Sequence, residues 1–228
     1  MSNNIYVGWD SREDIAYQVC EHSIKRRAQQ NNINVSPLKQ NTLREQKLYW
    51  REQDNLSSTE FTITRFLVPH LNKFAGWAVF CDCDMVWRCN PKELFDQVDD
   101  SKAVMVVKHE YDVAQGTKMD GQAQLPYPRK NWSSMILWNC GHPKNKALDL
   151  QTVNTASPSF LHRFEWLDDT DIGTLNHSWN WLVGWYDVER DGDPKIIHYT
   201  EGGPWFEETR HCEFGHIWKQ ELINLYSS

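Results

Sequence analysis

The sequence predicts an α/β fold, a single domain built on a mostly parallel central sheet. Three observations carry the prediction. Strand-like and helix-like segments alternate along the chain, the pattern of a sheet assembled through crossover connections. Two runs, residues 77–81 and 103–107, are continuously apolar, as strands covered on both faces are. The length, 228 residues, suits one domain of this class.

Taken in order, Ile5-Tyr6-Val7-Gly8-Trp9 reads as a buried first strand that ends at Asp10. Ser11 is the predicted N-cap, with Asp14 completing a capping box, and Ile15, Ala16, Val19, Cys20 and Ile24 then fall at helical spacing to about Gln29. Residues 35–38 form a short second strand, and 41–58 a loop with one helical turn. Phe61, Phe66, Leu67, Leu71 and Phe74 define a second helix opened by Thr59, kinked at Pro69 and ended by Gly76. The strand at 77–81 runs into Asp82-Cys83-Asp84. A short helix follows from Pro91 to Val98, then the strand at 103–107. Residues 112–130 make a loop long enough to be functional. Residues 134–138 form a strand, with helical pieces near 143–150 and 157–163. Asp168-Asp169-Thr170-Asp171 opens an amphipathic stretch at 172–182. Residues 185–188 and 195–199 read as late strands, and 213–226 as a C-terminal helix.

Composition narrows the function classes. Hydrophobic residues at 40% and charged residues at 24% are ordinary for a globular protein. A net charge of -7 argues against a broad nucleic-acid surface. No apolar run approaches the roughly 18 residues of a membrane span, and residues 1–4 lack a signal-peptide pattern, so a cytoplasmic location is expected. The six cysteines lack C-x-x-C spacing and read as free thiols of a reducing compartment. The twelve tryptophans supply core, and flat rings that can also stack on sugars.

Four segments carry chemistry. Asp82 and Asp84, at i and i+2 after a buried strand, lie where an open α/β sheet places its ligands and can approach one hard divalent cation. His198 ends an apolar strand, where a neutral imidazole could complete a metal site, and Gly202-Gly203 after it would let backbone N–H groups near phosphate oxygens. The first strand's turn at Asp10 is a place to hold a base or ribose, or simply a helix start. The acidic cluster at 168–171 either complements a helix dipole or contacts sugar hydroxyls.

In this order the motifs resemble glycosyltransferase family 8, the retaining enzymes of glycogenin and bacterial galactosyltransferase type. They read Val7-Gly8-Trp9-Asp10, Asp82-Cys83-Asp84, Asn131-Trp132-Ser133-Ser134, Asp171-Ile172-Gly173-Thr174-Leu175-Asn176, and residues 198–205, ending Gly203-Pro204-Trp205. The resemblance implies a single GT-A domain with a mixed, mostly parallel sheet, residues 5–110 being the nucleotide half and 111–228 the donor-sugar and acceptor half. It implies Mn²⁺ or Mg²⁺ on Asp82, Asp84 and His198. It places the nucleotide-sugar, a UDP-hexose, against Val7, Gly8, Asp10, Tyr17, Arg65, Cys83, Gly202 and Trp205. Asp169 or Asp171 would hold the transferred hexose, which passes with retention to a carbohydrate or other hydroxyl acceptor. Two positions depart from the pattern. Gly203 stands where the family has a lysine, whose task would fall to Arg129 or Lys130, and Ile172 stands where a glutamine is common. The acceptor would be walled by the 112–130 loop, the Trp179, Trp181 and Trp185 cluster and the C-terminal tail.

Two alternatives use the same residues. A haloacid-dehalogenase-like phosphatase would attack phosphorus with Asp82 and use Asp168-Asp169 as its late acidic pair. A non-catalytic domain would bind a nucleotide-sugar without turning it over.

Overall fold

The computed structural model describes residues 3–28, 31–52, 58–109, 129 and 131–227. Its main sheet has six strands: β1 (Asn3–Gly8), β2 (Ile33–Leu38), β3 (Trp77–Cys81), β5 (Val104–Val107), β6 (Met135–Asn139) and β7 (Ile172–Leu175), in the order β2-β1-β3-β6-β5-β7. Five run in one direction and β6 runs against them. The sheet is therefore mixed and mostly parallel. Strands β3 and β6 lie at its centre, and apart from Trp77 and Asn139 at their outer ends every residue of both is buried.

A second sheet was not legible in the sequence. It joins β4 (Met85–Trp87), β9 (Ile196–His198) and β8 (Trp181–Leu182), with β4 antiparallel and β8 parallel to β9. The chain crosses from one sheet to the other through Asp82-Cys83-Asp84. That crossing sets the site.

The first helix, α1 (Asp14–Arg27), packs against β4 and against the C-terminal helix, Gly215–Ser227. The C-terminal helix is pinned by Glu221. Its buried carboxylate accepts from Arg26 at 3.1 Å and Arg27 at 3.0 Å and lies 2.8 Å from His22 Nδ1.

Several local expectations are corrected. The capping residue is Asp10, not Ser11: Asp10 is extended and accepts from Arg12 N, while the Ser11 hydroxyl donates to Glu60. Asp14 closes no capping box, because its carboxylate is taken by Trp9 Nε1 at 2.7 Å and Gln18. The expected helix at 59–74 is a turn, a 3-10 segment at Thr64–Leu67 and a four-residue helix at Val68–Leu71. Pro69 lacks the N–H to extend it, and Lys73 and Phe74 adopt left-handed φ of 55° and 51° that end it. The stretch at 172–182 is not helical. Ile172 and Leu175 face the core from β7, which pairs with β5, and a 3-10 turn at His177–Asn180 leads into β8. So short an apolar run does not separate strand from helix by spacing. Residues 185–188 do not form a strand either. The chain turns at Gly184, φ +82°, and Asp187 caps a short helix at Val188–Asp191. Gln29, residues 53–57, and the 112–130 loop apart from Arg129 lie outside the described residues.

Candidate metal and ligand site

The β3 strand delivers Asp82 and Asp84 at its carboxyl end, and pairing of β4 with β9 brings the third group. Met85 is in register with His198, and the Tyr199 N–H donates to the Asp84 carbonyl at 3.0 Å. His198 Nε2 thereby lies 3.3 Å from Asp84 Oδ1. One ligand atom from each of Asp82, Asp84 and His198 falls within 4.8 Å of the others. Oδ1 of Asp82 and Oδ1 of Asp84 are both buried, the first facing Arg65 Nη1 at 2.9 Å and the second His198 Nε2 at 3.3 Å. Two buried carboxylates this close together are costly unless cationic charge meets them both. Two hard oxygens and one imidazole are a donor set that fits Mg²⁺ or Mn²⁺.

Behind this triad stands Arg65. Its Nη1 lies 2.9 Å from Asp82 Oδ1 and donates to the Ser133 carbonyl at 2.7 Å, and its guanidinium packs over the Phe80 ring at 4.8 Å. Arg65 is buried, so it is a fixed charge rather than a swinging arm. Burial, opposed by Arg65 and reinforced by Asp84, pushes Asp82 up to about 7. Burial also raises Asp84, but the charge and hydrogen bond of His198, a backbone hydrogen bond and Arg65 together outweigh it and hold Asp84 below the usual carboxylate range. His198 is held up in turn: burial pulls it down and the facing Asp84 more than compensates.

The triad opens into a cavity of about 590 Å³, the size of a small-molecule site. Five carboxylates line it, on Glu13, Asp82, Asp84, Glu201 and Glu208, against the guanidiniums of Arg65 and Arg129. Arg65 is already committed to Asp82. A diphosphate therefore meets net negative charge unless a further cation is bound. Gly202 also lines the cavity, with φ at +105° and its Cβ position 3.1 Å from Thr209 Oγ1, so a side chain there would be strained and crowded.

The structure brings Asp82, Asp84, His198, Arg65, Gly202 and Arg129 to one cavity. The other residues singled out by sequence are placed elsewhere. Val7 is core, within β1. Gly8 makes room for Phe61, whose ring would lie 2.5 Å from a Cβ. The Asp10 carboxylate is buried and occupied by Arg12 and by the Glu60 N–H at 3.1 Å. Tyr17 is buried and donates to Glu21 at 2.8 Å. Cys83 is buried, and burial pushes its thiol well up. Trp205 packs on Tyr199 and Trp218. Asp171 closes a capping box with Asp168 and pairs with Lys144 at 2.6 Å, and the exposed Asp169 pairs with Arg129 at 2.6 Å. Trp179 and Trp181 are buried and offer no stacking face, whereas Trp185 is exposed. Lys130 lies outside the described residues.

Four groups at the site carried no sequence signal. Glu13, beside Asp84 and Asp10, is pushed up to about 7 chiefly by burial. His162 lines the cavity and is held down to about 3 by burial and by Arg65, with Ser133 Oγ 2.8 Å from its Nδ1. Asn180 and His109 stand behind His198; a lone Asn in a Trp-rich stretch, or a lone His after an apolar strand, reads as ordinary core.

No family model matches the chain. Protein CDI of Arabidopsis thaliana is 52% identical over 221 residues, covering 96% of this chain and 85% of that protein. Among solved structures, the bifunctional glycosyltransferase WbbM superposes with a TM-score of 0.62 at 18% identity, over 99% of this chain and 51% of that one. This chain thus spans about half of WbbM. The galactosyltransferase LgtC, solved with donor and acceptor sugar analogues, superposes with a TM-score of 0.59 at 11% identity, over 97% and 95% of the two chains. These likenesses show the fold: a mixed α/β GT-A domain. A dehalogenase-like phosphatase does not fit it. The Asp pair follows the third strand rather than the first, and Asp168 and Asp169 are absent from the cavity wall.

Proposed function

The chain belongs to the family of the Arabidopsis thaliana protein CDI, and from that premise and its GT-A fold we propose that it is a metal-dependent glycosyltransferase using a nucleotide-sugar donor. The observation that carries this reading is the convergence of Asp82, Asp84 and His198, with ligand atoms within 4.8 Å of one another, on the wall of the cavity. Resemblance to glycosyltransferase family 8 supplies the finer reading: a UDP-hexose, Mn²⁺ or Mg²⁺, and transfer with retention to a hydroxyl of a carbohydrate or similar acceptor. No helix among the described residues is long and apolar enough to cross a membrane, and all six cysteines are free, which supports placement in the cytoplasm.

Asp82, Asp84 and His198 would hold the divalent ion, which supplies Lewis-acid stabilisation of a departing diphosphate. Arg65 cancels the charge of Asp82, so the triad can accept one dication and remain attractive to a diphosphate. Gly202 lets backbone approach the phosphate oxygens, and Arg129 takes the role of the family's missing lysine. Asp169 and Asp171, assigned to the hexose by resemblance, would act from behind Arg129, with which Asp169 is paired.

A panel of nucleotide-sugars incubated with the protein and Mn²⁺ tests the reading. We expect slow hydrolysis of one donor, favouring UDP-hexoses, that stops on chelation and resumes with Mn²⁺. Tight nucleotide-sugar binding with no turnover under any acceptor would instead make this a binding domain.

A further inference from the structure

The metal triad is backed by a hydrogen-bond chain whose proton positions can be deduced. Ser134 Oγ donates to the Asn131 carbonyl at 2.8 Å, which spends its only proton. The Asn180 amide nitrogen, 2.9 Å from that Oγ, must then be the donor, and this fixes which way the fully buried Asn180 amide faces. Its oxygen points at His198 Nδ1, 2.8 Å away, so Nδ1 carries the proton and donates. The same amide nitrogen lies 3.1 Å from His109 Nε2, which must therefore be an acceptor. His109 Nδ1 then carries the proton and donates to the Tyr186 hydroxyl at 2.7 Å. His109 is buried and is held down to about 3, chiefly by burial with His198 and His177 adding to it, which agrees with a neutral ring.

We propose that Asn180 is a positioning residue that sets proton positions on two histidines at once. It fixes the Nδ1 proton of His198, so that Nε2 is the nitrogen turned toward the Asp82 and Asp84 oxygens, and it locks His109 as the Nδ1–H tautomer that links the metal site to Tyr186. The metal half of this rests on the reading of the triad given above. The proton positions do not, since they follow from the amide and its hydrogen-bond partners. A ligating histidine is commonly oriented by a partner on its other nitrogen. Here one carboxamide, with one acceptor and two N–H groups, serves the ligand, Ser134 and a second histidine.

Two readouts test it, and neither requires turnover. The first is the histidine tautomer, read by long-range ¹H–¹⁵N correlation, with His109 assigned through His109→Gln. In the wild-type protein His109 is expected as the Nδ1–H form. In Asn180→Asp, which offers no N–H, it should switch to the Nε2–H form. The second is Mn²⁺ affinity of the metal-free protein, read by loss of the free-ion EPR signal. Asn180→Ala should weaken it about 10- to 100-fold, whereas Asn180→Asp, which still accepts from His198 Nδ1, should keep it. Should the alanine variant fail to fold, the aspartate variant decides alone, since it must switch His109 and still bind Mn²⁺. An Nε2–H His109 in the wild type, or full Mn²⁺ affinity in a folded Asn180→Ala, overturns the proposal. The predicted tautomers in a protein that binds no Mn²⁺ overturn the metal reading and, with it, the purpose assigned to Asn180.

Discussion

Asp84→Asn is expected to lower nucleotide-sugar turnover by about two to three orders of magnitude while leaving the fold intact. The asparagine keeps the size of the side chain but loses the charge that faces His198 at 3.3 Å. Metal assistance to a leaving group is worth several kcal/mol, and ~3–4 kcal/mol corresponds to that loss of rate. The change should appear first as lost Mn²⁺ affinity, measured beside an unchanged circular dichroism spectrum. Turnover within tenfold of wild type, at saturating donor and Mn²⁺, would show that Asp84 holds no catalytic ion.

The second large effect concerns stability. Arg65→Met keeps an unbranched apolar side chain but removes the guanidinium that packs over Phe61 and Phe80, the only one in contact with Asp82 among the described residues. Removing one partner of a buried ion pair costs about 3–5 kcal/mol, because the other charge is stranded. For a domain of this length that is a fall in Tm of roughly 10 °C. Thermal unfolding checks it, and Mn²⁺ has a specific part to play: a cation on the triad supplies the missing countercharge, so saturating Mn²⁺ should recover more Tm in the variant than it adds to wild type. A variant that melts within about 2 °C of wild type, less than ~1 kcal/mol by the same scaling, would mean that Asp82 does not depend on Arg65.

The Asp82–Asp84 motif and the sheet behind it were legible because a five-residue apolar strand announces both itself and its carboxyl end. His198 was legible for the same reason, at the end of an apolar run. The pairing that places them together was not. Strands β4 and β9 are three residues each, too short for periodicity, and they meet across more than a hundred residues of sequence. Glu13 was hidden by its neighbour: Asp14 looked like the capping acid, yet it turns to Trp9 while Glu13 faces the cavity. Asn180 was hidden more completely, since its importance lies in which way an amide faces, and only Ser134 decides that. The motif at Val7, Gly8 and Asp10 was legible as a strand end; in the structure Val7 packs in the core, Gly8 makes room for Phe61 and Asp10 caps the turn that follows. The helix read at 59–74 failed on backbone geometry: the apolar spacing was genuine, but the chain runs as a turn and a 3-10 segment up to Leu67 and turns left-handed at Lys73 and Phe74.

The central claim is that a divalent ion on Asp82, Asp84 and His198 turns an acidic cavity into a diphosphate site. Calorimetric titration of UDP into the protein tests it most directly, once after exhaustive chelation and once with saturating Mn²⁺. The charge balance of the cavity predicts binding heat only in the presence of Mn²⁺, and none for Asp84→Asn under either condition. UDP that binds the chelated protein as tightly as the Mn²⁺-loaded one would contradict it.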